Sequence, residues 1–230
     1  MINLASNIMN RLKRKKFYSK LIAKGDLCFD IGANRGVKSK LFLSLGAKVI
    51  AFEPQSHCYK TLEAIKKRNP DFEFHDIAVG AVNEKRELLL ANYSEIATLS
   101  NVFVDRYSSD TVYWNDHETV RVESIDFLIG KYGLPHFCKI DVEGFELAIL
   151  SHLHYKIPII EFEFTEKFIE ETLEIIDLFE SDTTVFNYIM GENPKFELET
   201  WVNGSILKDI IVTLPKYRLH GNIFIKALTQ

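Results

Sequence analysis

Leu27-Cys28-Phe29-Asp30-Ile31-Gly32-Ala33-Asn34-Arg35-Gly36 decides how this chain is built. A short apolar run carrying one acid ends in a turn bounded by two glycines. An amphipathic stretch over 38–45 follows, with Leu41, Phe42 and Leu45 at helical spacing. A second apolar run, Lys48-Val49-Ile50-Ala51-Phe52, then closes on Glu53-Pro54. Strand, glycine turn, helix, strand and terminal carboxylate form the unit with which an open α/β sheet builds a nucleoside pocket. The acid at the second strand's tip is placed to hold both hydroxyls of a ribose.

Working outward, the pattern predicts a helical lead-in over 1–24, a helix over 59–65 that stops before Pro70, a strand over 72–79 and an apolar run over 86–91. After residue 118 it predicts a strand at 120–122, a helix at 125–132, a strand at 136–142, a helix at 144–153, a strand at 157–164, a helix at 166–179, and tail strands at 185–190 and 222–226. Residues 92–117 break this rhythm. They are polar and aromatic, with Tyr93, Tyr107, Tyr113 and Trp114, and a connection of that length reads as a lid or substrate loop. Its aromatics would either stack on a sugar ring or form the loop's own small core. Residues 25–230 thus read as one doubly wound α/β domain whose mostly parallel strands carry near-continuous apolar runs.

Composition agrees. Of 230 residues 47% are hydrophobic and 26% charged, enough for one sizeable core. No stretch approaches the ~18 apolar residues of a membrane span, and the start shows no signal-peptide pattern. Cys28, Cys58 and Cys138 show no paired spacing and read as buried thiols, which suits a reducing, cytoplasmic setting. The net charge of -4 gives no general case for nucleic acid. The local exception, Arg11-Leu12-Lys13-Arg14-Lys15-Lys16, reads as the solvated face of the first helix, with Leu4, Ile8, Leu12 and Phe17 on the other side. A basic arm for RNA or anionic lipid is the alternative.

The first turn is Gly-x-x-x-Gly, short of the Gly-x-Gly-x-x-Gly that brings backbone N–H groups onto a pyrophosphate. A nucleoside cofactor without phosphate suits it better, and S-adenosylmethionine is one. Asp30 and the Asn34 turn would face the charged ends of its methionine tail. Asp76, near the end of the third strand, would accept the adenine amino proton, and Ile77 would offer an apolar edge to the ring. Each signal is common alone, since an acid after a strand is often a helix cap. The ordered series Asp30, Glu53, Asp76 at three successive strand ends is the specific feature.

The second strong stretch is Phe137-Cys138-Lys139-Ile140-Asp141-Val142-Glu143-Gly144-Phe145-Glu146. Period-two alternation puts Lys139, Asp141 and Glu143 on one strand face, where such charge density is costly unless paired or used. Capping of the next helix is the bland alternative. Glu161 and Glu163 repeat the pattern in the following strand, and Glu163 lies nearer the carboxyl end. His152 and His154 read as helix-end surface residues rather than metal ligands. His75 reads as packing beside Asp76.

Taken in order, Phe29–Gly36, Phe52-Glu53-Pro54, Asp76-Ile77-Ala78-Val79-Gly80, Ser124-Ile125-Asp126 and Lys139–Glu146 resemble the FkbM family of methyltransferases over residues 25–165. The resemblance implies a seven-stranded class I methyltransferase fold, S-adenosylmethionine as donor and an oxygen nucleophile on a sugar, polyketide or similar small molecule. It maps Asp30, Gly32, Gly36, Glu53 and Asp76 to cofactor contacts; Asn34, Pro54 and Ile77 are expected contacts from the reading of the residues themselves. Arg35 in the turn and Ser151-His152-Leu153 after the last motif depart from the family pattern. Glu143 or Glu163 would take the hydroxyl proton while Asp141 orients a reactant. Two alternatives stay open: Asp141, Glu143 and Glu163 holding Mg²⁺ beside the acceptor, and a non-catalytic nucleoside-binding or scaffolding module. An NAD-dependent oxidoreductase fits less well, for want of the third glycine.

Overall fold

The computed structural model describes residues 2–228. Helix α1 (Ile2–Tyr18) leads into β1 (Leu27–Ile31), α2 (Val37–Ser44), β2 (Lys48–Phe52), α3 (Tyr59–Lys66), β3 (Phe72–His75) and β4 (Ala78–Gly80). The middle holds β5 (Glu84–Ala91), α4 (Asn101–Tyr107), β6 (Trp114–Ser124) and α5 (Ile125–Tyr132). The last part holds β7 (Phe137–Ile140), α6 (Glu146–Leu150), β8 (Ile159–Thr165), α7 (Ile169–Phe179), β9 (Thr184–Met190), α8 (Gly204–Thr213) and β10 (His220–Ala227).

Seven strands form one sheet in the order β3-β2-β1-β7-β8-β10-β9. The first five run parallel, and β10 is antiparallel to both of its neighbours. Strand order reverses between β1 and β7, the switch point where open α/β sheets hold ligands beyond their carboxyl ends. Helices cover both faces. Phe29, Ile31, Phe52, Ile140 and Phe162 pack with Ile176 of α7 and Leu207 of α8 on one side. Phe17, Tyr18, Phe42 and Leu62 of α1, α2 and α3 pack with Phe137 and Phe224 on the other.

The expected strand over 72–79 divides. Asp76 and Ile77 carry the chain from β3, at the edge of the large sheet, to β4 in a second sheet of order β4-β6-β5. Ile77 turns into the core at the crossing while Asp76 turns outward. Residues 92–117 are partly regular, holding α4 and the start of β6. Ser100 starts α4 by accepting the Phe103 N–H at 3.1 Å. Phe103 stacks on Tyr107 and Phe168, with Trp114 edge-on. Tyr107 and Trp114 therefore serve the segment's own core, and Tyr93 and Tyr113 are exposed. In α1, Phe17 and Tyr18 are buried, but Leu12 is 61% exposed and does not belong to the inward face expected for it. The side chains of Leu4 and Ile8 lie outside the described residues. All three cysteines are buried free thiols. No helix among the described residues is long and apolar enough to cross a membrane.

Candidate active site

A cavity of about 410 Å³ opens at the switch point, lined by the β1–α2 turn, the tip of β2 and the segment after β7. Its floor is built by backbone. The carbonyl of Phe52 accepts the N–H groups of Gly32 at 3.0 Å and Ala33 at 3.2 Å, and Asp141 N–H donates to the Ile31 carbonyl at 3.1 Å. Gly32 has φ +74, and a Cβ there would lie 1.8 Å from the Asp141 carbonyl oxygen. Only glycine brings the two strand tips this close.

Glu53 is 2% exposed yet lines the cavity. Its Oε2 accepts the Asn34 N–H at 2.6 Å and its Oε1 the Gln55 N–H at 2.9 Å. Asn34 sits at φ +47, a conformation asparagine tolerates better than most residues. Burial raises the Glu53 pKa, while these N–H donors pull against the rise. Each oxygen keeps acceptor capacity, so the carboxylate can still receive two vicinal hydroxyls. Pro54, Ala78, Val79, Leu88 and Leu99 supply apolar wall beside it.

Four expected cofactor contacts lie elsewhere. Gly36 is buried against α3, where a Cβ would meet Ile65 at 2.5 Å and Leu62 at 3.2 Å, and it does not line the cavity. Asp30 is fully buried, accepts the Ser39 hydroxyl at 2.5 Å and does not line the cavity. Strand alternation sends Phe29 and Ile31 to one face of β1 and Asp30 to the other, under α2. The Asp76 side chain is 66% exposed, with Arg121 Nη2 at 3.8 Å, and Ile77 is in the core. Neither reaches the cavity. Ala78 and Val79, the next residues of the same segment, take that place.

The opposite end of the cavity carries the expected carboxylates. Oxygens of Asp141, Glu143 and Glu163 lie within 4.8 Å of one another. Lys139 Nζ, buried beneath them, donates to Asp141 Oδ2 at 2.6 Å. Burial alone would lower the Lys139 pKa, but Asp141 and Asp30 hold it raised and the ammonium charged. Burial and then Asp141 push the Glu163 carboxyl up to about 9. Burial, Asp141 and Glu163 raise Glu143 well above the usual carboxylate range. Burial and like-charge crowding therefore favour the protonated form of this pair.

Glu143 is forced to face the cavity. Its φ is +55, in the left-handed region where a non-glycine residue costs on the order of 1 kcal/mol or more. Three contacts hold it there. Thr98 Oγ1 donates to its carbonyl at 2.7 Å. Glu146 accepts the Val142 N–H at 2.9 Å and the Gly144 N–H at 3.0 Å. Gly144, at φ +84, packs where a Cβ would meet Phe168 at 2.6 Å. Glu146 thus clamps the loop. Burial pushes its carboxyl up to about 7 against the pull of these N–H groups.

Lys38, Thr98 and Glu192 also line the cavity without any local sequence signal, and Arg14 joins them from the basic run of the first helix. Lys38 Nζ bonds Glu161 Oε1 at 3.0 Å and the Tyr18 hydroxyl at 2.6 Å, and that hydroxyl donates to the same Glu161 oxygen at 2.7 Å. Arg14 pairs with Glu192 at 3.2 Å. Glu161, read beside Glu163 in the sequence, is thus sealed in an ionic network rather than placed in the cavity. His154 pairs with Asp126 at the surface, and His75 stacks on Phe52.

The methyltransferase FkbM domain model matches residues 30–188. No curated protein matches the chain significantly. Among solved structures, a candidate rRNA methylase from Clostridium thermocellum is similar at a TM-score of 0.50 and 10% identity, over 94% of this chain and 94% of that one. A candidate methyltransferase from Streptococcus mutans, SMU.1697c in complex with SAH, aligns at 0.46 and 11%, over 93% and 95%. Aeropyrum pernix fibrillarin, with natively bound S-adenosyl-L-methionine, aligns at 0.46 and 9%, over 89% and 68%. At these identities the likeness is one of fold, the Rossmann-like class I methyltransferase sheet.

Proposed function

Because the chain belongs to the FkbM methyltransferase family, we propose that it moves a methyl group from S-adenosylmethionine to a hydroxyl oxygen of a small acceptor, a sugar or a molecule of similar polarity. One observation carries this reading: a single cavity is lined by a buried carboxylate at the tip of β2, Glu53, and by a crowded carboxylate pair, Glu143 and Glu163. The donor supplies a methyl already activated on a sulfonium.

The cavity suits that donor at its first end. Glu53 presents free lone pairs for two ribose hydroxyls, and Pro54, Ala78, Val79, Leu88 and Leu99 make an apolar slot for a purine. The turn residues Gly32, Ala33, Asn34 and Arg35 line the cavity wall. Asp141 offers a carboxylate to a cationic or amino group, and its second partner, Lys139, fixes its orientation.

At the other end the residues do proton work. Glu163 or Glu143, in its ionised form, would accept the proton of the acceptor hydroxyl as that oxygen takes the methyl carbon and the carbon–sulfur bond breaks, its electron pair staying on sulfur as a neutral thioether. A base with a pKa near or above neutrality suits this task, and like-charge crowding creates one. Positioning supplies most of the remaining rate. The three buried free thiols support a reducing, cytoplasmic setting.

Divalent-cation assistance is the second reading, favoured by the 4.8 Å spacing of the three carboxylates. Lys139 argues against it, since an ammonium already serves Asp141 at 2.6 Å. The test uses radiolabelled donor against a panel of sugar and small-molecule hydroxyls. Glu143→Gln, Glu163→Gln and Asp141→Asn follow, with S-adenosylhomocysteine binding measured beside turnover. The expected result is a loss of about 10²–10⁴-fold in at least one carboxylate variant with binding retained. Unchanged turnover in all three removes the base. Loss in EDTA with rescue by Mg²⁺ moves the assignment to the metal.

A further inference from the structure

A second cavity, of about 670 Å³, adjoins the first, and Arg14, Val37 and Lys38 line both. It is a groove between α1 and α2 whose charged lining is entirely basic: Arg11, Arg14, Lys38 and Lys40. The pattern is helical on both walls. Arg11, Arg14 and Tyr18 fall at i, i+3 and i+7 of one stripe on α1, and Val37, Lys40, Leu41 and Ser44 fall at i, i+3, i+4 and i+7 on α2. The stripe on α1 ends at Tyr18, whose hydroxyl reaches Lys38 and Glu161 at the edge of the first cavity. The basic run 11–16 is therefore more than a solvated face, because two of its members point along a path into the site.

Charge in the groove is unbalanced. Lys38 is answered by Glu161, and Arg14 by Glu192. The side chains of Arg11 and Lys40 have no hydrogen bond or ion pair with any described residue, and both residues are exposed. Arg11 lies one helical turn, about 4.5 Å, beyond Arg14 along α1. A chain of net charge -4 thus concentrates two uncompensated cations beside the acceptor half of its cavity. Arginine with lysine is a donor set for phosphate oxygens.

We infer that the acceptor is a phosphate-bearing small molecule, a sugar phosphate or diphosphate, whose phosphate lies in the α1–α2 groove while its hydroxyl meets Asp141, Glu143 and Glu163. This rests on the methyltransferase reading above. The groove's few cations and the acidic residues Glu95 and Glu192 at the neighbouring mouth favour a short phosphorylated ligand over a nucleic-acid backbone, which needs a longer basic track.

Inorganic pyrophosphate is the probe, titrated calorimetrically into the full chain saturated with S-adenosylhomocysteine. Saturable binding is expected, roughly tenfold weaker in the double variant Arg11→Ser with Lys40→Ser, with S-adenosylhomocysteine affinity unchanged. Both positions are exposed, so the variant keeps its fold, which an unchanged melting curve verifies. No saturable binding, or equal affinity in both proteins, overturns the inference. So does tighter capture by a single-stranded RNA oligonucleotide, or by phosphatidylglycerol vesicles, that the same variant abolishes. Failure of the wild-type chain to bind S-adenosylhomocysteine strikes the methyltransferase reading itself, and the same titration series separates that result from a failure of the groove.

Discussion

Gly32→Ala is the sharpest test of how the site is assembled. The new Cβ would stand 1.8 Å from the Asp141 carbonyl oxygen and 2.9 Å from its carbonyl carbon, where real Cβ contacts do not fall below 3.0 Å. The tips of β1 and β7 must therefore part by about 1.2 Å, the difference between 3.0 and 1.8. Both clashing atoms are backbone, so no side chain can swing away. Asp141 is also held by its N–H bond to Ile31 and by Lys139, which resists the shift. A φ of +74 adds about 1–2 kcal/mol for a residue with a Cβ. With overpacking, the stability loss comes to about 2–5 kcal/mol. A displacement near 1 Å between the Glu53 half and the carboxylate half should lower turnover by about 10²-fold. Affinity for S-adenosylhomocysteine should fall as well, and thermal melts, labelled-donor turnover and calorimetry read the three effects. The control is Gly130→Ala in α5, where a Cβ meets nothing within 4 Å and a neutral or slightly stabilising change is expected. If Gly32→Ala binds S-adenosylhomocysteine within about a factor of two of wild type, under ~0.4 kcal/mol, the close approach of the two strand tips does not matter and the reasoning fails.

Glu53→Ala removes the acceptor for the ribose hydroxyls and strands the Asn34 and Gln55 N–H groups, so S-adenosylhomocysteine affinity should fall by about 10–100-fold. Unaltered affinity would place the ribose elsewhere. Stability should decline as pH rises from about 5 toward 9, because the unfolded chain ionises Glu163 near its ordinary value while the folded chain holds that proton up to about 9. That stabilising contribution is whole at the acid end and gone at the alkaline end. Glu163→Gln should flatten the slope in melts taken at pH 5.5 and 8.5 by a few degrees, ~3–6 °C, and an unchanged slope would show that Glu163 is not the proton holder.

Much of this molecule could be read locally. The runs at 27–31 and 48–52 are strands because they are continuous, apolar and punctuated by glycine or proline, and the fold needs both faces of such strands covered. Glu53, Asp141, Glu143 and Glu163 stand at strand ends, and strand ends at a switch point converge whatever the details. Asp30 and Asp76 also stand at strand ends but do not converge. A strand-end position fixes depth in the sheet, not the face on which a side chain emerges. Asp30 emerges under α2, where Ser39, nine residues later, is its partner. Asp76 falls at a crossing between two sheets that a continuous polar-apolar run conceals. Arg14, Lys38, Thr98 and Glu192 come from four separate elements or connections, and only tertiary packing brings them to one wall.

The departures from local rules cluster in one place. Among the described residues, the only non-glycine residues with positive φ are Asn34 and Glu143, and both line the cavity. Three carboxylates crowd within 4.8 Å there, an arrangement that lowers stability at neutral pH. Dedicated contacts hold this arrangement: Glu146 clamps two backbone N–H groups, Thr98 holds the Glu143 carbonyl, and Phe168 packs against Gly144. A scaffold with no chemistry to perform would relax such a loop to an ordinary turn and replace Glu143 by glycine or asparagine. On the proposed reading, the strain lies where a proton is held and released beside the donor. On that reading the carboxylate pair, more than the fold, is what would separate a catalyst from a nucleoside-binding module.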